Sequence, residues 1–342
     1  MKSKNLIKVK NSVALSLLLI FISLLSSCGN SEEMNIAFLY STDETERFVI
    51  ESQFFADRAR ELGANVVVDH AGNNDAVQQQ KAEEMIQDGI DLLVLIYINE
   101  NTANAIVREA KRAGVKVMAF NRLLNNSDLD MFISANNYNM GEAFVNYTVE
   151  KVPRGNYIIF GGDMFDRNAV ELMDAVERNL EPHIESGDID ILYRSFTEDW
   201  SGANAAFALR QFLNNSNEHP DVIISAFDGM SSAMLDVLQD FNLDGEVIIT
   251  GQDALIESIH NIREGKQHIT MYHPHIEIAH TAAEAAVAML QGDNLEEFNI
   301  TYTDNQYKDV PTIMINSVAV TIDNIDEALI EQGHYTREDI YN

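Results

Sequence analysis

The chain has 342 residues, 46% of them hydrophobic, a formal net charge of −31 and a single cysteine. That length suits about two domains of ordinary size, and one cysteine excludes an intramolecular disulfide. So acidic a surface repels nucleic acid and anionic lipid headgroups and is compatible with a neutral or cationic small ligand, although the charge also serves solubility.

Lys2, Lys4, Lys8 and Lys10 precede an apolar run over 13–25, which is shorter than the roughly 20 residues of a membrane-spanning helix and gives way to Ser26 and Ser27 before Cys28. Residues 1–27 therefore read as a signal peptide cleaved before Cys28. Leu25-Ser-Ser-Cys28 resembles the lipobox of bacterial lipoproteins, which implies lipidation at Cys28 and attachment to a membrane through it. Residues 28–34 would form a short polar tether, of an acidic kind that also marks surface export in some Gram-negative groups. Without the leader about 315 residues and a net charge of about −35 remain.

From Met34 to about Val320, short β-branched runs alternate with amphipathic segments, the pattern of βαβ units and parallel sheets. The first strand is predicted over 35–40, followed by a helix whose apolar residues Phe48, Phe55, Ala59 and Leu62 recur at three- or four-residue spacing. Strands follow over 65–69, 91–96 and 115–120, with a helix around 76–87 and with Gly63, Gly89 and Gly114 where helices should stop. After the turn at Pro153-Arg-Gly155, a second series places strands over 156–160, 189–193, 221–225 and 246–250, each ahead of a helix-like segment. The expected fold class is α/β with two doubly wound parallel-sheet domains.

In such sheets ligands bind beyond the carboxyl ends of the strands. Those positions carry Ser41-Thr-Asp43, Tyr97-Ile-Asn99, Asn121-Arg122, Gly161-Gly-Asp163, Phe227-Asp228 and Gly251-Gln-Asp253. Each polar residue there fits a helix cap or turn, and together they also fit a polar ligand. The chain has no G-x-S-x-G elbow, Walker loop, G-x-G-x-x-G fingerprint or H-E-x-x-H helix. His268, His273, His275 and His280 match no common zinc spacing, so no metal or cofactor is expected. Two carboxylates converging from distant segments could still do glycosidase work without a local motif.

The run Val117-Met-Ala-Phe-Asn-Arg122 and its continuation to Ser134 are similar to D-xylose-binding proteins that feed ABC importers, members of the type I periplasmic binding superfamily. The likeness continues through Val152-Pro-Arg-Gly155 to Gly162, Gly251-Gln-Asp253, Met271-Tyr-His-Pro274 and Tyr307-Lys-Asp-Val-Pro311, so it spans nearly the whole mature chain. It implies two similar domains joined by a three-crossing hinge, with crossings near 134–138, near 270–273 and between 299 and 308. One domain would comprise 35–136 plus 272–303, the other 137–271 plus 304–330, with a tail over 331–342.

The resemblance also implies a monosaccharide held between the domains by Arg47, Asn121, Arg122, Asp166, Asn168, Trp200, Phe227, Asp228, Asp253 and His273. Arg47 and Arg122 would donate forked hydrogen bonds, Asp166 and Asn168 would be polar ligands, Trp200 would stack on the sugar's C–H face and Asp253 would accept from hydroxyls. Three positions depart from the family: Asn121 replaces an aspartate, Phe227 an asparagine and His273 a lysine. These changes alter which hydroxyls find partners and point away from strict xylose preference. Phe227 fits either a second stacking face or core filling.

The implied function is capture without chemistry. A monomeric receptor would deliver its sugar to an ABC permease, or present its closed form to a membrane sensor kinase or chemoreceptor. Sugar-responsive repressors share the fold but begin with a basic helix-turn-helix, where this chain begins with a leader.

Overall fold

A computed structural model of the protein describes residues 33–342; the leader, Cys28 and the tether up to residue 32 lie outside the described residues. The first half alternates as the sequence pattern requires: β1 Met34–Tyr40, α1 Glu46–Glu61, β2 Ala64–His70, α2 Asp75–Gln87, β3 Leu92–Leu95, α3 Glu100–Ala113, β4 Lys116–Phe120 and β5 Met131–Ala135. Helix α3 illustrates the local logic. Asn99 caps it by accepting from the Asn101 and Thr102 amides, and Ala103, Ile106, Val107 and Ala110 form the stripe buried on the sheet. Every residue of β3 is buried, as befits a strand with helices on both faces.

The chain then builds a second unit: α4 Asn137–Lys151, β6 Gly155–Gly161, α5 Arg167–Glu185, β7 Ile189–Phe196, α6 Gly202–Asn215, β8 Val222–Ser225, α7 Asp228–Asp240, β9 Ile248–Ile249 and α8 Ile256–Arg263. Its sheet runs β7-β6-β8-β9, all parallel. Then follow β10 Thr270–Tyr272, α9 His275–Gln291, β11 Thr301–Asp304, β12 Asp309–Ile315, β13 Val318–Val320 and α10 Arg337–Tyr341. Strands β10 and β13 pair antiparallel, and a parallel bridge between Gln252 and Met271 fastens them beside β9.

The first sheet is completed from the far end of the chain, in the order β11-β12-β5-β4-β3-β1-β2. Helix α9 returns to pack along α1. The chain thus passes between the two sheets after β5, after β10 and after β12.

The last of these passages differs from the sequence expectation. Residues 304–315 belong with the first sheet, not the second: Thr312–Ile315 pairs in parallel with Phe132–Ala135, and β11 folds back on β12 as a hairpin. Asn305 pins that hairpin by donating to the Leu124 and Ser127 carbonyls while accepting from the amides of Tyr307 and Lys308. The polar stretch that looked like a crossing is a turn within one lobe, and the crossing runs through Asn316 and Ser317. The final residues, expected as a tail, form α10 against α8, with Ile340 fully buried.

Candidate ligand-binding cleft

A cleft of about 590 Å³ opens between the carboxyl ends of the two sheets. From the first lobe, Arg47 stands in the first turn of α1 and donates to the Asn121 side chain at 3.1 Å. Asn121 follows β4 with φ of 64°, a left-handed conformation that asparagine tolerates better than most residues, and its amide is tied to the Ile133 carbonyl. The next residue, Arg122, reaches the Tyr97 carbonyl at 3.4 Å, and its buried Nε has no partner among the described residues.

From the second lobe, Asp166 caps α5 through the Asn168 amide. Asn168 donates across the cleft to the Asn121 carbonyl at 3.0 Å and accepts from Asn137. Trp200 is presented by a strained turn in which both Asp199 and Trp200 have φ of 54°. Its ring lies so close to Gly162 that a Cβ there would sit 2.4 Å from three ring carbons, so only glycine allows this placement. Phe227 meets the indole edge-on, with centroids 6.4 Å apart and planes at 87°, giving the cleft an aromatic corner.

Asp253 completes the site from the end of the second sheet, with φ of 86° and its amide bonded to the Met271 carbonyl. Its carboxylate accepts from His273 Nε2 at 3.0 Å and faces Arg47 at 3.5 Å. Burial alone would raise its pKa, but Arg47 and the His273 hydrogen bond outweigh this and hold the carboxyl well below the usual range. His273 is buried, and that burial lowers its pKa against the pull of Asp253. A neutral ring fits both contacts: Nε2–H donates to Asp253 while Nδ1 accepts from the Ser317 hydroxyl at 2.8 Å. Two arginines and two aspartates pair across the cleft, Arg47 with Asp253 and Arg122 with Asp166 at 3.7 Å. The near-neutral balance, planar donors and aromatic corner suit an uncharged polyhydroxyl ligand.

The profile of the periplasmic binding protein domain matches residues 36–294. The chain belongs to this family. The binding protein is 32% identical to the D-xylose-binding periplasmic proteins of Haemophilus influenzae, over 94% of this chain and 96% of that one, and of Escherichia coli, over 91% and 94%. Its fold matches an ABC transporter solute binding protein from Clostridium phytofermentans crystallised with β-D-glucose, at a TM-score of 0.79 and 22% identity, covering 90% of this chain and 99% of that one.

Nine of the ten residues singled out from the sequence line the binding protein's cleft. Asp228 does not. Its side chain is fully buried beneath the floor, accepting from the Leu255 amide, the Thr270 hydroxyl and the Gln267 amide at 2.8–2.9 Å. It braces the loops after β8 and β9, and Gly251 makes room for it, since a Cβ there would stand 2.0 Å from Asp228 Oδ1. Ser134, Asn137, Asn73 and Gln252 also line the cleft. Gln252 lay inside a strand-end triplet, and its buried Oε1 has no partner among the described residues. Asn137 and Asn73 carried no signal beyond that of ordinary turn formers. The histidine group only partly disperses: His273 and His275 keep their rings 6.3 Å apart and His275 meets Glu51 at 3.1 Å, while His280 lies edge-on to Phe54 and His268 accepts from the Ile249 amide.

Proposed function

We propose that the protein captures a neutral monosaccharide, xylose or a related pentose or hexose, between its two lobes and delivers it to an ABC importer without altering it. The convergence of Arg47 and Arg122 from one lobe with Asp166, Asn168 and Asp253 from the other around Trp200 and Phe227 carries this reading. A ligand touching both walls favours the closed arrangement over any open one, which gives a transporter something to recognise. Asp253 and Asp228 are both poorly placed for glycoside hydrolysis. Glycoside hydrolysis needs a carboxylic acid that keeps its proton near neutral pH at the scissile bond. Asp253 is held ionised, and Asp228, the acid whose pKa burial raises to about 7, is sealed off from the cleft.

Calorimetric titration of a pentose and hexose panel tests the proposal, with saturable binding of at least one sugar expected and recovery of that sugar unchanged. No binding across the panel, or conversion of the sugar, would overturn it. The departures at Asn121, Phe227 and His273 favour a preferred sugar other than xylose, and nanomolar xylose binding ahead of all others would refute that part. The protein works from a membrane surface in the cell envelope, anchored through lipid on Cys28. Cys28→Ser should release it into the soluble fraction, and retention as tight as wild type would count against the anchor.

A further inference from the structure

One bridge between the lobes stands apart from the residues of the cleft. Arg167 opens α5 in the second lobe, and its Nη1 donates to the Asn125 side chain at 3.1 Å and reaches the Asp304 carbonyl at 3.5 Å. Asn125 follows β4 and Asp304 ends β11, so both acceptors belong to the first lobe. The place of the β11–β12 hairpin in the first sheet is what makes the second contact an interlobe one. Arg167, Asn125 and Asp304 do not line the cleft, whereas the Arg47–Asp253, Arg122–Asp166 and Asn168–Asn121 pairs do.

Helix formation does not account for an arginine here. The first turn of a helix carries the positive end of its dipole, where a cation is disfavoured. Glu171, one turn on, offsets the charge and aims the side chain: its Oε1 accepts from Arg167 Nε at 2.7 Å. Its Oε2 accepts from Asn137 Nδ2 at 3.0 Å, and Asn137 is the first residue of α4, directly after the passage that leaves β5. The guanidinium is thus fixed to the second lobe through Nε while Nη1 reaches the first. Asn125 is oriented from its own side, since its Nδ2 donates to Glu100 at 3.1 Å and leaves the amide oxygen for Arg167.

We infer that Arg167 is a positioning residue for capture, a latch that holds the lobes together from outside the cleft and sets how long a sugar stays enclosed. A contact that lies off the cleft stabilises the closed arrangement equally for every ligand. It therefore scales all affinities by one factor and leaves the order of preference to the cleft. The inference rests on the sugar-capture reading and adds to it the residue that governs release.

Full-length wild type, Arg167→Ala, Asn125→Ala and the double variant, titrated with xylose, glucose, ribose and galactose and chased for release rate by stopped flow, supply the test. Each single variant should weaken every sugar that binds by about three- to tenfold, through faster release and with the ratios between sugars unchanged. The double variant should lose little more than Arg167→Ala alone, because both substitutions sever the same bond. Losses that differ from sugar to sugar would place the guanidinium on the ligand and overturn the latch. So would unchanged affinities and release rates, or single losses that simply add in the double variant; each of these leaves the capture reading intact. Failure of wild type to bind any of the four sugars would overturn both readings.

Discussion

Asp228 and Asp253 follow neighbouring strands of the same sheet, yet the protein uses them in opposite ways. Asp253 stands in the cleft, ionised against Arg47 and His273. Asp228 lies just beneath, surrounded by neutral donors, and burial outweighs its hydrogen bonds to raise its pKa to about 7. The difference shows that position at a strand's end nominates a residue for ligand contact, while the charge of its partners decides whether it is offered to a ligand or consumed by the fold.

The sharpest way to break this comparison is to remove each carboxylate in turn. Asp228→Ala leaves the buried Thr270 hydroxyl and one Gln267 N–H, together with the part-buried Leu255 amide, without their acceptor, and at roughly 1–3 kcal/mol for each buried orphaned group the loss of stability should exceed about 2 kcal/mol in denaturant titration. Were the variant as stable as wild type but unable to bind sugar, the assignments of the two aspartates would be reversed. Asp253→Ala should show the opposite pattern. Losing a charge-assisted hydrogen bond costs about 1.5–3 kcal/mol of binding, so calorimetry should record a drop of about tenfold to a few hundredfold in affinity with the unfolding midpoint nearly unchanged.

Proton linkage sharpens the contrast. The native state keeps a proton on Asp228 up to about pH 7, whereas the unfolded chain releases it near 3.8, so this group's contribution to stability falls as pH rises through that window. His334, pushed by burial down to about 4, works the other way, its contribution being lost as pH falls from 6.5. Wild type should therefore gain about 2 kcal/mol relative to Asp228→Asn between pH 7.5 and 5, a difference in which the histidine contributions cancel. A flat difference would mean that Asp228 is ionised when folded.

The smallest effect concerns Phe227, which precedes Asp228 and faces Trp200. Phe227→Ala should weaken sugar binding by less than about tenfold if the ring stacks on the ligand. A loss confined to thermal stability would assign it to the core instead, since it also packs against the buried cluster that includes Ile223 and Met230.

Much of this was legible beforehand for physical reasons. The strands that form β1, β3, β4, β6 and β8 are continuous β-branched or apolar runs bounded by turn residues, a signal that survives without context. Strands β10 and β13 are three residues long, too short for any periodicity, and β12 carries Pro311 near the edge hairpin, so its pairing with β5 across some 180 positions left no local trace. At the site, a resemblance in sequence could name Asp228 beside Phe227 but could not say which way its side chain points. That is decided by Gln267 and Thr270, about forty residues downstream.

Trp200 is the chain's only tryptophan, and it stands half-buried on the wall of the cleft. Excited at the red edge of the indole absorption, where the 11 tyrosines contribute little, the protein's emission therefore reports on one place alone. A sugar that displaces water from the indole should shift its spectrum toward shorter wavelength, and quenchers added from solution should lose access as the cleft fills. Occupancy could thus be followed on the native protein, without a dye or an engineered label, as each sugar arrives and leaves.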